Sequence, residues 1–131
     1  MFWKGIQKFK RLEFFQLRGV PTATKTAAYT VLPTDSGKVL IANNGSSQVD
    51  FTLPTPAAAS GCIFLFANIG AAGTKIVSGT VDTLVTFNDA AADDVSYETA
   101  TEMIGAACMI YSNGTNFYHF EMSGATVTIT T

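Results

Sequence analysis

The sequence predicts an all-β fold, a small antiparallel β-sandwich or barrel with an N-terminal basic amphipathic arm. From Lys25 onward, short apolar and β-branched runs recur at a spacing of roughly 8–12 residues. The breaks between them are built from Gly, Asn, Asp and Pro, as in Pro33-Thr34-Asp35-Ser36-Gly37 and Ser112-Asn113-Gly114-Thr115-Asn116. The first 20 residues follow a different pattern, with apolar side chains at helical rather than strand spacing.

In chain order, the arm comes first. On a helical wheel Phe2, Trp3, Ile6, Phe9 and Leu17 fall on one side, and Lys4, Lys8, Arg11 and Arg18 on the other, with Lys10 intruding. Such a stretch reads as a docking arm, a membrane-surface element or a partner-binding helix. A helix folded back on its own β-domain is the plainer alternative. Docking onto another molecule is preferred, because so many large aromatics at one end of a small chain are hard to bury at home. The charged residues also break any continuous apolar core of a secretory signal.

Candidate strands then follow at 27–32, 38–42, 48–53, 62–67, 75–77, 83–87, 96–101, 106–112, 117–122 and 125–130. Val49, Phe51 and Leu53 alternate with Asp50 and Thr52, Val127 and Ile129 with threonines, and Tyr118, Phe120 and Met122 with Phe117, His119 and Glu121. Both faces of the run containing Ile63, Phe64, Leu65 and Phe66 are apolar, which requires cover on two sides, from a second sheet or from a neighbouring subunit. The segment 88–95 reads as an acidic loop, with a short helical turn through its alanines as an option, because Asp89, Asp93 and Asp94 would repel in regular pairing. The organisation expected is an arm over residues 1–25 and a β-domain over 26–131.

Charge divides at the same place. Residues 1–25 carry six basic residues against Glu13 alone, a net +5, whereas 26–131 carry Lys38 and Lys75 against nine acids, a net −7. Only 14% of the chain is charged and mean hydropathy is +0.26, which excludes a charge-rich disordered chain. No apolar run reaches the ~18 residues that a membrane-spanning helix needs. Cys62 and Cys108 lie in apolar runs without metal-ligand spacing, and read as buried free thiols.

Little in the chain carries catalytic chemistry. His119 has no partner motif for acid–base or nucleophilic work and reads as structural. Gly70-Ala71-Ala72-Gly73 lacks the Lys-Ser/Thr of a phosphate loop. Asp89, Asp93 and Asp94 lack the spacing and glycine of a calcium loop, and Glu98 with Glu102 would need a sugar cleft to act as a hydrolytic pair. Asn44-Gly45-Ser46 and Asn113-Gly114-Thr115 match the glycosylation pattern but read better as tight turns between strands. The arm's basic and aromatic residues could contact nucleic acid, yet the acidic body would repel it.

Five stretches carry a family resemblance: Tyr29-Thr30-Val31-Leu32-Pro33-Thr34-Asp35-Ser36-Gly37-Lys38, Val49-Asp50-Phe51-Thr52-Leu53-Pro54, Gly61-Cys62-Ile63-Phe64-Leu65-Phe66, Gly105-Ala106-Ala107 and Ser112-Asn113-Gly114-Thr115-Asn116-Phe117-Tyr118. Together they resemble small β-structured modules of bacteriophage virion proteins. The last stretch departs from the usual Asp-Gly-Thr-Asn-Trp-Tyr by Asn113 for the acid and Phe117 for the tryptophan. The resemblance implies a non-enzymatic homotrimer without cofactor or metal. A single module with an arm looks most like a capsid decoration (cement) protein, made in the host bacterial cytoplasm and carried on the virion's capsid surface. Its expected partner is the major capsid protein, contacted through Phe2, Trp3, Lys4, Ile6, Lys8, Phe9, Arg11 and Arg18. Ile63, Phe64, Leu65 and Phe66 are expected in the core or at the subunit interface. No nucleic acid, membrane or small-molecule substrate is expected. The alternative is a tail fibre or spike tip, or an adaptor, that binds a host receptor or a tail protein.

Overall fold

A strand with one apolar and one polar face has to close against a second sheet, and the chain solves this in an unusual order of connections. The computed structural model describes residues 19–131. The arm residues Phe2, Trp3, Lys4, Ile6, Lys8, Phe9, Arg11 and Arg18 lie outside the described residues.

The strands are β1 (Thr22–Lys25), β2 (Tyr29–Thr30), β3 (Val39–Ala42), β4 (Val49–Thr52), β5 (Ile63–Asn68), β6 (Thr74–Val77), β7 (Leu84–Thr86), β8 (Asp89–Ala92), β9 (Asp94–Tyr97), β10 (Ala107–Ser112), β11 (Phe117–Glu121) and β12 (Thr128–Thr130). One sheet has seven strands in the order β1-β3-β5-β10-β11-β7-β8, and the other has five in the order β12-β9-β6-β4-β2. The fold is all-β with two layers, as the periodicity predicts.

The pairing is mixed rather than wholly antiparallel. From β1 to β6 the chain alternates between the sheets, so β1, β3 and β5 stack parallel in one and β2, β4 and β6 stack parallel in the other. Each connection arches across the sandwich instead of turning back within a sheet. Antiparallel pairing enters with β9 on β6, β10 on β5, and the β7–β8 and β10–β11 hairpins. The Asn44-Gly45 turn is therefore an arch between β3 and β4, whereas Asn113-Gly114 is a true hairpin between β10 and β11. Antiparallel order is what tight turns suggest from sequence, because the local turn chemistry of an arch and of a hairpin is the same.

Between the sheets, Leu40, Phe64, Ile110 and Phe117 meet Val49, Phe51, Ile76 and Val95, all fully buried. The Phe51 ring of β4 contacts Phe66 of β5 across the layers, at a centroid distance of 5.1 Å. Each such side chain contributes roughly 1.5–3 kcal/mol relative to exposure.

The acidic-loop reading of 88–95 is overturned, since most of it forms β8 and the start of β9. The repulsion is absorbed individually. Asp89 accepts hydrogen bonds from the Ala91 N–H and the Thr131 hydroxyl, and Asp93 from the Asp82 N–H. Asp94 faces the Lys75 ammonium at 4.0 Å through Oδ2 and keeps a buried Oδ1 without a hydrogen-bond partner among the described residues. The strand expected at 96–101 ends at Tyr97 and gives way to turns.

The two outer faces differ. On the five-stranded sheet Asp50, Lys75, Ser96 and Thr128 line up in cross-strand register. On the seven-stranded sheet one row reads Val39, Leu65, Met109, Phe120 and the next Ile63, Tyr111, Tyr118, Val85.

Candidate functional site

Cross-strand register brings a polar cluster into the core at one end of the sandwich. On β11, Phe117, His119 and Glu121 face inward, and β10 places Cys108 opposite Glu121. From the facing sheet β9 contributes Tyr97, which is 1% exposed. The Tyr97 hydroxyl donates to Glu121 Oε2 at 2.5 Å and lies 3.1 Å from His119 Nε2. On the far side of the ring, Thr86 Oγ1 of β7 is 2.8 Å from His119 Nδ1. The Phe87 ring packs against the imidazole at a centroid distance of 5.8 Å.

These contacts set the protonation states. Burial lowers the His119 pKa, and the Glu121 charge offsets only part of that effect. Burial by itself would raise the Glu121 carboxyl, but donation from Tyr97 and Ser123 and the nearby imidazole hold it below the usual range. Burial, reinforced by Cys108 and Glu121, keeps the Tyr97 phenol protonated far above its ordinary range. Burial also pushes the Cys108 thiol up to about 12. The thiol is thus no nucleophile at neutral pH, because the thiolate is the reactive form. A neutral imidazole whose two nitrogens both have partners, sealed under Phe87, suits a structural histidine, as the sequence reading has it.

A second cluster organises the stretch from Tyr29 to Lys38. Asp35, 3% exposed, ends the 3-10 turn Pro33–Asp35. Its carboxylate accepts from the Tyr29 hydroxyl at 2.8 Å, the Leu32 N–H at 2.9 Å and the Lys38 ammonium at 3.0 Å. Lys25 lies 3.8 Å from the centre of the Tyr29 ring, a cation–π contact. Burial opposes ionisation of Asp35, and the three donors outweigh it and lower its pKa. The spaced Tyr, Asp and Lys therefore form one corner. Asn113 does similar work at the hairpin, where Oδ1 accepts from the N–H groups of Thr115 and Asn116.

The remaining candidates separate. Phe64 and Phe66 point into the core, while Ile63 is 41% exposed and Leu65 is half-buried on the outer face of the seven-stranded sheet. Cys62 is half-buried and Cys108 buried, and both are free thiols. Glu98 is exposed; Glu102 borders a shallow depression of about 200 Å³ with Ile104, Ser123 and Gly124, and its carboxylate accepts from the Thr126 N–H. Glu98 does not line that depression. No group of three or more His, Cys, Asp or Glu side chains able to hold a metal occurs among the described residues. None of their helices is long and apolar enough to cross a membrane.

Sequence reasoning missed Asn68, which is fully buried and donates to the carbonyls of Gly70 and Met103 at 2.8 Å each. An asparagine ending an apolar strand is its trace in the sequence. The chain matches no protein-family model, and no curated protein matches it.

Proposed function

We propose that this protein is a decoration protein of a bacteriophage shell, binding the outer surface of the major capsid protein as a homotrimer and stabilising the shell without catalysis. The observation that carries the reading is the division of charge: Lys25 belongs to β1 of the body, which leaves +4 on residues 1–18 and −6 on residues 19–131. An aromatic cationic segment joined to an acidic body suits an anchor that lies on a partner while the body faces away from it. Three arms on one trimer engage three sites together, so each needs only modest affinity.

The test loads the full chain onto phage particles stripped of this protein. Charge reversal at Lys4→Glu, Lys8→Glu and Arg11→Glu is expected to weaken loading by about 100-fold or more, as multivalent binding is lost. Loading at the wild-type level would sink the anchor. Quantitative mass spectrometry of intact particles distinguishes shell from tail, since hundreds of copies indicate a shell and a handful a tail tip or adaptor.

A further inference from the structure

A sheet that faces water on one side normally alternates apolar-in with polar-out. The five-stranded sheet obeys this rule through the half-buried Asp50 and Lys75, paired in register. The seven-stranded sheet does not. Leu65, Met109 and Phe120 form one cross-strand row, and Ile63, Tyr111 and Tyr118 the next. Phe120 is 48% exposed, Ile63 41%, and Met122 at the rim 63%. No charged residue interrupts either row across β3, β5, β10, β11 and β7, among the described residues.

We infer that the outer face of the seven-stranded sheet is the surface through which copies of this chain associate. Four strands ~4.8 Å apart and three same-face rows ~6.7 Å apart, the third being Ile41, Ala67 and Ala107, make about 19 by 20 Å, on the order of 400 Å² in plan. That is the scale of an interface centre, which in a standard interface of ~800 Å² per partner is surrounded by a polar rim. The composition, Tyr, Phe and Met without Lys or Glu, is that of an interface centre.

Charge selects the occupant. Residues 19–131 hold nine acids against three lysines, so a second copy meets like charge over most of the body. On this face it meets none. A basic partner would find no carboxylate there to reward its charge, and neither would the arm, whose first 18 residues carry five cations. The inference deepens the assembly part of the proposed function and rests on that reading only for its particle context. Solution mass and particle loading are separate readouts, so either can fail while the other stands.

Sedimentation equilibrium of the full chain at micromolar concentration is the test. The wild-type protein is expected at a multiple of 13.9 kDa, three-fold if the homotrimer holds. Phe120→Glu and, at the more exposed rim, Met122→Glu are each expected to raise the dissociation constant at least about 100-fold while circular dichroism keeps its strand signature. Val77→Glu, on the opposite sheet, should leave the mass unchanged. A monomeric wild-type protein overturns the inference, and so does assembly that survives both charged variants. Trp3, the one tryptophan in the chain, reports the competing occupant. A monomer whose emission shifts to the red in Phe120→Glu places the arm on this face and overturns the inference equally.

Discussion

The Tyr97 hydroxyl, 3.1 Å from His119 Nε2, donates its own proton to Glu121 and so accepts from the imidazole. That fixes the tautomer: Nε2 carries the hydrogen, and Nδ1 accepts from the Thr86 hydroxyl. One phenol thus joins the two sheets and satisfies two titratable groups at once.

Replacing Tyr97→Phe leaves the His119 N–H and a Glu121 oxygen without their partner. The expected cost is roughly 1–3 kcal/mol, read as a lower urea midpoint with an unchanged slope. Tyr118→Phe, on the outer face, should change stability by less than about 0.5 kcal/mol.

Acid should destabilise the protein in two stages. The folded His119 pKa lies below its ordinary 6.5, so the unfolded chain takes up the proton first. Stability is lost as pH falls through 6.5 toward the depressed folded value. Glu121 and Asp35 are also depressed, from 4.5 and 3.8, so their contributions are present above those values and lost as pH falls further. Thermal melts against pH should show both stages, and His119→Gln should remove the first.

The cysteines should differ in reactivity. Cys108 is buried with its thiol pushed up to about 12, whereas Cys62 is partly exposed near the Pro33 carbonyl. Alkylation of native protein at mildly alkaline pH should label Cys62 alone, and denaturant should release Cys108. The Cys108 contribution to stability is present below the ordinary thiol value of 9.0 and lost as pH rises toward 12.

Stacked arches leave no room at Gly70. A Cβ there would sit 2.3 Å from the Asn44 backbone nitrogen, while one at Gly45 would meet nothing within 4 Å. Gly70→Ala should therefore cost roughly 1–3 kcal/mol in denaturant melts by forcing backbones apart, and Gly45→Ala should cost little.

At the corner, Asp35→Ala removes the acceptor for Tyr29, Leu32 and Lys38 together. The expected loss is about 1–3 kcal/mol, because the Leu32 N–H and the Tyr29 hydroxyl lose a shared partner. Hydrogen exchange should then rise at Leu32.

What the sequence determined by itself was whatever depends on near neighbours in the chain. Alternation in Val49-Asp50-Phe51-Thr52 and in Phe117 to Glu121 established strands and their two faces, since side chains on a pleated strand alternate whatever it pairs with. Turn chemistry at Asn113-Gly114 located a hairpin, and the apolar run at 63–66 announced a strand needing cover on both faces, of which the opposite sheet covers only that of Phe64 and Phe66 and leaves Ile63 41% exposed. Partner choice was decided only in the tertiary structure. Asn44-Gly45 became an arch because β3 continues into the opposite sheet, and Asp89 to Asp94 became strand because Lys75, Asp82 and Thr131 arrive from elsewhere in the chain. Tyr97, Cys108, His119 and Glu121 converge from three strands, an assembly that no local spacing encodes. Periodicity is a property of neighbouring residues, whereas pairing is a competition among distant ones.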